Sequence, residues 1–125
     1  MSQNRVLGKR ILLADDEQPV RDALKLLLQI DEHIVSEASN GQEALNLYAP
    51  ERFDLVITDL EMPVIRGNEL AVAIKRQAPA QRILMITAFA GKIGDRENPV
   101  DALLDKPFTF EDLREAIARL LNETG

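Results

Sequence analysis

Asp15 and Asp16 are neighbouring carboxylates, Asp59 is a third, and Thr87 and Lys106 add a hydroxyl and an ammonium further along the chain. Each closes or follows a short apolar run: Ile11-Leu12-Leu13-Ala14 before the acidic pair, Leu55-Val56-Ile57 before Asp59, Ile83-Leu84-Met85-Ile86 before Thr87, and Ala102-Leu103-Leu104 before Lys106. If these runs are strands of one sheet, the five side chains share a rim. Three carboxylates within a few ångströms repel by roughly 4 kcal/mol per close pair at an effective dielectric of about 20, so they need a counter-charge. A divalent cation supplies it. Oxygen-only ligands favour a hard ion, and Mg²⁺ suits a site that keeps positions open for phosphate oxygens. The chemistry that fits is phosphoryl transfer, in which the protein positions groups and offsets developing charge. Asp59, central among the strand ends, is the candidate nucleophile. Asp15 and Asp16 are left for metal, Thr87 offers a donor to a phosphate oxygen, and Lys106 neutralises another from the opposite side.

Taken singly, these residues have plainer roles. An acidic pair before a helix can cap it, Thr at a strand end can be a β-former, Lys is usually a solvated charge, and an Asp before Pro63 can cap a turn. Those roles leave unexplained why all of them fall at the ends of separate strands, on the edge where open α/β sheets bind ligands.

The elements that must position them are legible from periodicity. Unbroken apolar runs of four or so residues read as strands buried on both faces; Ile34-Val35 adds a further one. Between them, Val20, Leu24, Leu27 and Leu28 form one helical stripe, and Leu113, Ile117, Leu120 and Leu121 another. Pro19 suits a first helical turn, Asn40 with Glu43 is a capping-box pattern, and Thr109 with Asp112 is a weaker one. Alternating strands and helices predict an α/β fold: a five-stranded parallel sheet with right-handed crossovers and helices on both faces. The weakest stretch is Ala88 to Val100, where Gly91, Gly94, Asp95, Asn98 and Pro99 interrupt any stripe, so a fourth helix there is expected to be short or irregular.

The 125 residues suit one domain. Apolar residues make up 46% and charged residues 29%, a globular composition without the bias of a disordered chain. The formal net charge of −6 and the absence of any Lys/Arg run argue against direct binding of nucleic acid. No apolar run approaches the roughly 20 residues of a spanning helix, and Met1 to Arg10 is too polar for a signal peptide. A cytoplasmic protein without membrane contact is the expectation. With no Cys, disulfides, thiolate nucleophiles and Cys-ligated zinc are excluded together.

Leu12-Leu13-Ala14-Asp15-Asp16-Glu17, Ile57-Thr58-Asp59-Leu60-Glu61-Met62-Pro63, Thr87-Ala88 and Lys106-Pro107-Phe108, in this order and spacing, resemble the receiver domains of two-component response regulators. The resemblance covers Arg10 to Leu121 and implies a flavodoxin-like sheet of order 2-1-3-4-5. It frames residues 10–122 as a receiver domain, 1–9 as a polar N-terminal segment and 123–125 as a tail. It implies Asp59 as phosphoacceptor, with Asp16, Asp59 and the backbone carbonyl of Glu61 on Mg²⁺ and Asp15 acting through bound water. Thr87, Ala88 and Lys106 would hold the phosphoryl group, Thr87 swinging toward it once Asp59 is modified. The implied donor is a phosphohistidine on a sensor histidine kinase or a histidine phosphotransfer protein. Output would pass to a further partner, and the resemblance leaves room for a homodimer. His33 opens the second strand away from the rim and is expected to be an ordinary exposed histidine.

Two departures from the family stand out. The position three before Lys106, commonly Tyr or Phe, is Leu103, and the segment from Thr87 to Lys106 is short and lacks the usual Gly-Ala pair. Output is therefore expected to use an order change around Ala88 to Val100 rather than aromatic rotation. Glu61 and Phe89, two past the acceptor and two past the Thr, match family positions that tune dephosphorylation, and bulky Phe89 is expected to slow it. The rival readings are a receiver-like scaffold that is never phosphorylated, and a phosphohydrolase of the haloacid dehalogenase type. The second needs an Asp-x-Asp that Asp59-Leu60-Glu61 only approximates, and a cap domain that this chain lacks.

Overall fold

The computed structural model describes residues 6–48, 52–88 and 99–122. In chain order these form β1 (Arg10–Ala14), α1 (Gln18–Ile30), β2 (Ile34–Ala38), α2 (Gly41–Tyr48), β3 (Leu55–Asp59), α3 (Gly67–Gln77), β4 (Ile83–Thr87), β5 (Ala102–Asp105) and α4 (Phe110–Leu121). All strand pairs are parallel and the sheet order is β2-β1-β3-β4-β5. This is the order that the resemblance to receiver domains implies. The expected short fourth helix between β4 and β5 falls largely on residues 89–98, outside the described residues.

Strand alternation explains both cores. Ile11, Leu13, Leu55, Ile57, Leu84 and Ile86 point to the face covered by α1 and α4, where Leu24, Leu28, Leu113, Ile117 and Leu120 meet them. Leu12, Ala14, Val56 and Ile83 point to the other face, against Ala44, Leu70 and Ile74 of α2 and α3. The central strands β1, β3 and β4 thus lack an exposed face, which is why their sequences are unbroken apolar runs.

Helix starts follow the sequence signals. Pro19 sits in the first turn of α1. Thr109 and Asp112 form a reciprocal capping box at α4, each backbone N–H donating to the other's side chain at 3.0 Å. At α2 the Glu43 N–H donates to Asn40 Oδ1 at 2.8 Å, but the Glu43 carboxylate accepts from Ser39 instead of Asn40.

His33 corrects an expectation. It is only 5% exposed, and its Nδ1 accepts the Lys9 N–H at 3.0 Å. The chain just before β1 lies beside the entry to β2, so the imidazole is covered by residues 24 positions away.

Candidate functional site

The chain order reverses between β1 and β3: from the middle of the sheet it runs outward to β2, then returns to the far side of β1. Crevices at such a switch point, beyond the carboxyl ends of the strands, are where folds of this kind hold ligands. Asp15 and Asp16 leave β1 there, and Asp59 ends β3 beside them. One carboxylate oxygen from each of Asp15, Asp16 and Asp59 lies within 4.8 Å of the other two. The Lys106 Nζ is 3.4 Å from Asp59 Oδ1. A pocket of about 230 Å³ opens over them, lined by Asp16, Glu17, Asp59, Glu61, Ala88 and Lys106.

Local geometry holds each group. The backbone N–H of Asp15 donates to Ala38 O at 3.1 Å, extending β1, and Asp15 Oδ1 accepts the Glu17 N–H at 2.9 Å as the chain turns into α1. The acidic pair therefore does serve the helix start as well, through one oxygen of Asp15. Gly67 opens α3 in contact with the end of β3, donating its N–H to Leu60 O at 2.9 Å. A Cβ there would lie 2.1 Å from Asp59 O, so only glycine lets the helix begin this close to Asp59. Val64, at the tip of the intervening loop, takes φ 72°, a left-handed conformation that strains a β-branched residue. Lys106 follows β5, and its backbone N–H donates to Thr87 O at 3.1 Å, so the hydroxyl-bearing and ammonium-bearing strand ends are joined.

The electrostatics follow from crowding and burial. Burial pushes the Asp15 carboxyl up to about 6, helped by the charges of Asp59 and Asp16 and opposed by the Glu17 N–H and Lys106. Asp59 is raised by burial too, against the pull of Lys106. A further cation beside these two carboxyls would favour their ionised forms. The donor set is all oxygen, which fits a hard divalent ion and argues against zinc or copper.

Every described residue singled out from the sequence thus has a place. Asp15, Asp16, Asp59 and Lys106 converge; Glu61 and Ala88 line the pocket; Thr87 is buried at the end of β4, 1% exposed. The Glu61 carboxylate turns to Arg66 at 2.9 Å. Leu103 lies half-buried in the middle of β5. Phe89, and most of the stretch expected to change order, lie outside the described residues.

A family model described as response regulator receiver domain matches residues 11–118. The chain belongs to that family. As a receiver domain it is 33% identical over 118 residues to response regulator MprA of Mycolicibacterium vanbaalenii, a match covering 92% of this chain and 51% of that protein. The receiver spans about half the length of the curated relatives it matches. Among solved structures, response regulator TrrA from Thermotoga maritima in complex with Mg²⁺-BeF is 38% identical with a TM-score of 0.85, over 90% of this chain and 99% of that one. A structure of histidine kinase ThkA in complex with TrrA matches at 38% identity and TM-score 0.83, over 90% of this chain and 98% of that one. Among the described residues of this receiver, no helix is long and apolar enough to cross a membrane.

Reading the sequence alone overlooked Arg21, whose guanidinium reaches the Asp15 carbonyl. Its signal was faint: a cation six residues past Asp15, flanking the apolar stripe of α1.

Proposed function

We propose that this receiver takes a phosphoryl group from a phosphohistidine onto Asp59, in a Mg²⁺-dependent reaction in the cytoplasm, and changes conformation to control an output partner. The observation that carries the reading is the meeting of three carboxylates within 4.8 Å with the Lys106 ammonium 3.4 Å from Asp59. Asp15, Asp16, Asp59 and the Glu61 carbonyl would hold the ion, Asp15 through water. Bound there, Mg²⁺ would offset charge on the transferring oxygens.

The chain's own groups do the rest. An Asp59 carboxylate oxygen attacks phosphorus; the new P–O bond forms as the P–N bond to the donor imidazole breaks, and that nitrogen leaves with the bonding pair. Lys106 pairs with a phosphoryl oxygen as charge gathers on it. The Thr87 hydroxyl then turns to donate to another. Phosphorylation adds about −1.5 to −2 charges to a pocket whose carboxylates already repel, which biases the surrounding loops between two arrangements. The receiver, residues 10–122, promotes only its own phosphorylation and dephosphorylation. The TrrA structures with Mg²⁺-BeF and with a histidine kinase support the ion and the donor class.

Incubation with Mg²⁺ and a small acyl phosphate, followed by weighing of the intact protein, tests the reading. The parent gains the mass of one phosphoryl group and the Asp59→Asn variant gains none. An unmodified parent, or a variant modified to the same extent, overturns it.

A further inference from the structure

Arg21 lies one turn into α1, its side chain only 12% exposed, and bonds in two directions. One terminal nitrogen donates to the backbone carbonyl of Asp15 at 2.7 Å, while Nε donates to Glu37 Oε1 at 3.1 Å. Glu37 sits on the edge strand β2, and its second oxygen accepts from Lys25 Nζ at 2.8 Å. Lys25, then burial's smaller opposition, then Arg21 leave the Glu37 carboxyl below its usual range, so it stays an anion and a fixed anchor. Phosphoryl transfer as described above uses none of these three residues.

The carbonyl of Asp15 and the nitrogen of Asp16 belong to one planar peptide unit. Fixing that oxygen fixes the plane from which Asp16 departs, and Asp16 is the exposed, least supported member of the acidic trio. Asp15 itself is already held by Ala38 and by Glu17. We infer that Arg21 is a positioning residue for the metal-binding turn: braced on β2 through Glu37, it clamps the Asp15 carbonyl and so aims Asp16 at the cation. This rests on the proposed function in that Asp15 and Asp16 serve the ion.

Charge alone predicts the opposite sign. A guanidinium near a cation site repels the cation, so removing it would tighten Mg²⁺ binding. Positioning predicts weaker binding, because outer groups that orient metal ligands typically govern affinity by tenfold or more. Lysine keeps the charge but cannot span Glu37 and the carbonyl with a rigid fork.

Calorimetric titration with Mg²⁺ alone, at fixed ionic strength and well below the melting transition, reads the difference. Arg21→Met is expected to bind about tenfold more weakly than the parent, and Arg21→Lys does not restore affinity. Glu37→Gln weakens binding to a smaller degree, and the double variant is no weaker than Arg21→Met. Should Arg21→Met fail to fold, Glu37→Gln decides. Parent-like or tighter binding in the folded variants, or additive losses, overturns this inference alone. A parent that binds no Mg²⁺ overturns the proposed function, and this inference with it.

Discussion

Asp15 is almost wholly buried, yet the proposed function asks it to serve the cation as an ionised carboxylate. Its carboxyl is pushed up to about 6, chiefly by burial. An ordinary carboxyl of pKa 3.8 is what the unfolded chain offers. The raised value means that the folded state holds the proton more tightly, so above pH 6 the ionised carboxyl works against folding, and acidification through 6 toward 3.8 relieves it. Metal acts on the same proton in the opposite sense. Mg²⁺ affinity is therefore expected to hold steady above pH 6 and to fall as the pH drops through that value. Melting curves with and without Mg²⁺ check this: the metal's stabilising shift in Tm is large above the window and collapses below it. A shift that stays constant down to pH 4 would show that Asp15 takes no part.

Elements set the site by how closely they approach. The start of α3 presses on the end of β3, and Gly67 is the residue that permits it. Since the obstructing atoms are backbone of Asp59 and Leu60, no rotamer change can relieve an added methyl group. Gly67→Ala is expected to cost about 3 kcal/mol by denaturant unfolding, and to slow acyl-phosphate uptake because Asp59 itself must move. A variant as stable as the parent would show that the helix can start further out. Such packing explains what could be read beforehand. Burial on both faces writes itself as runs like Leu55-Val56-Ile57, and a residue that follows a run inherits a place on the rim, so Asp16, Asp59, Thr87 and Lys106 were legible together. Capping patterns mark local bonds, and Thr109 with Asp112 formed as read. Arg21 and Glu37 were not legible as partners, because their bond spans 16 residues and joins a helix flank to an edge strand. A charged side chain carries no local mark of where its counter-charge will fold.

Across the whole molecule the two ends of the sheet are divided between chemistry and fastening. Beyond the amino ends of the strands, Arg114 of α4 grips Asp31 with two bonds of 2.9 Å, and its guanidinium lies 4.0 Å from the Phe110 ring centroid. The last helix is thereby tied to the end of α1, 83 residues earlier, in the region where His33 is buried. His33 was misread as exposed because its cover comes from a distant stretch of chain. Its Nδ1 accepts from Lys9, and a protonated ring could not accept. Burial lowers the imidazole below its ordinary 6.5 and outweighs Asp31 and Asp54, which favour the proton, while Lys9 opposes it. The folded state thus resists a proton that the unfolded chain takes up near 6.5. Stability from this group is complete above that pH and is lost as the pH falls toward the lower folded value, the reverse of the Asp15 effect. Asparagine offers a carbonyl to Lys9 without titrating, so His33→Asn separates the two. With Mg²⁺ present throughout, the parent should lose stability relative to this variant by at most about 1.4 kcal/mol per pH unit below 6.5, read from urea midpoints. Parallel curves for the two proteins would mean that His33 takes up its proton equally in the folded and unfolded states, so that neither burial nor the bond from Lys9 holds the ring neutral.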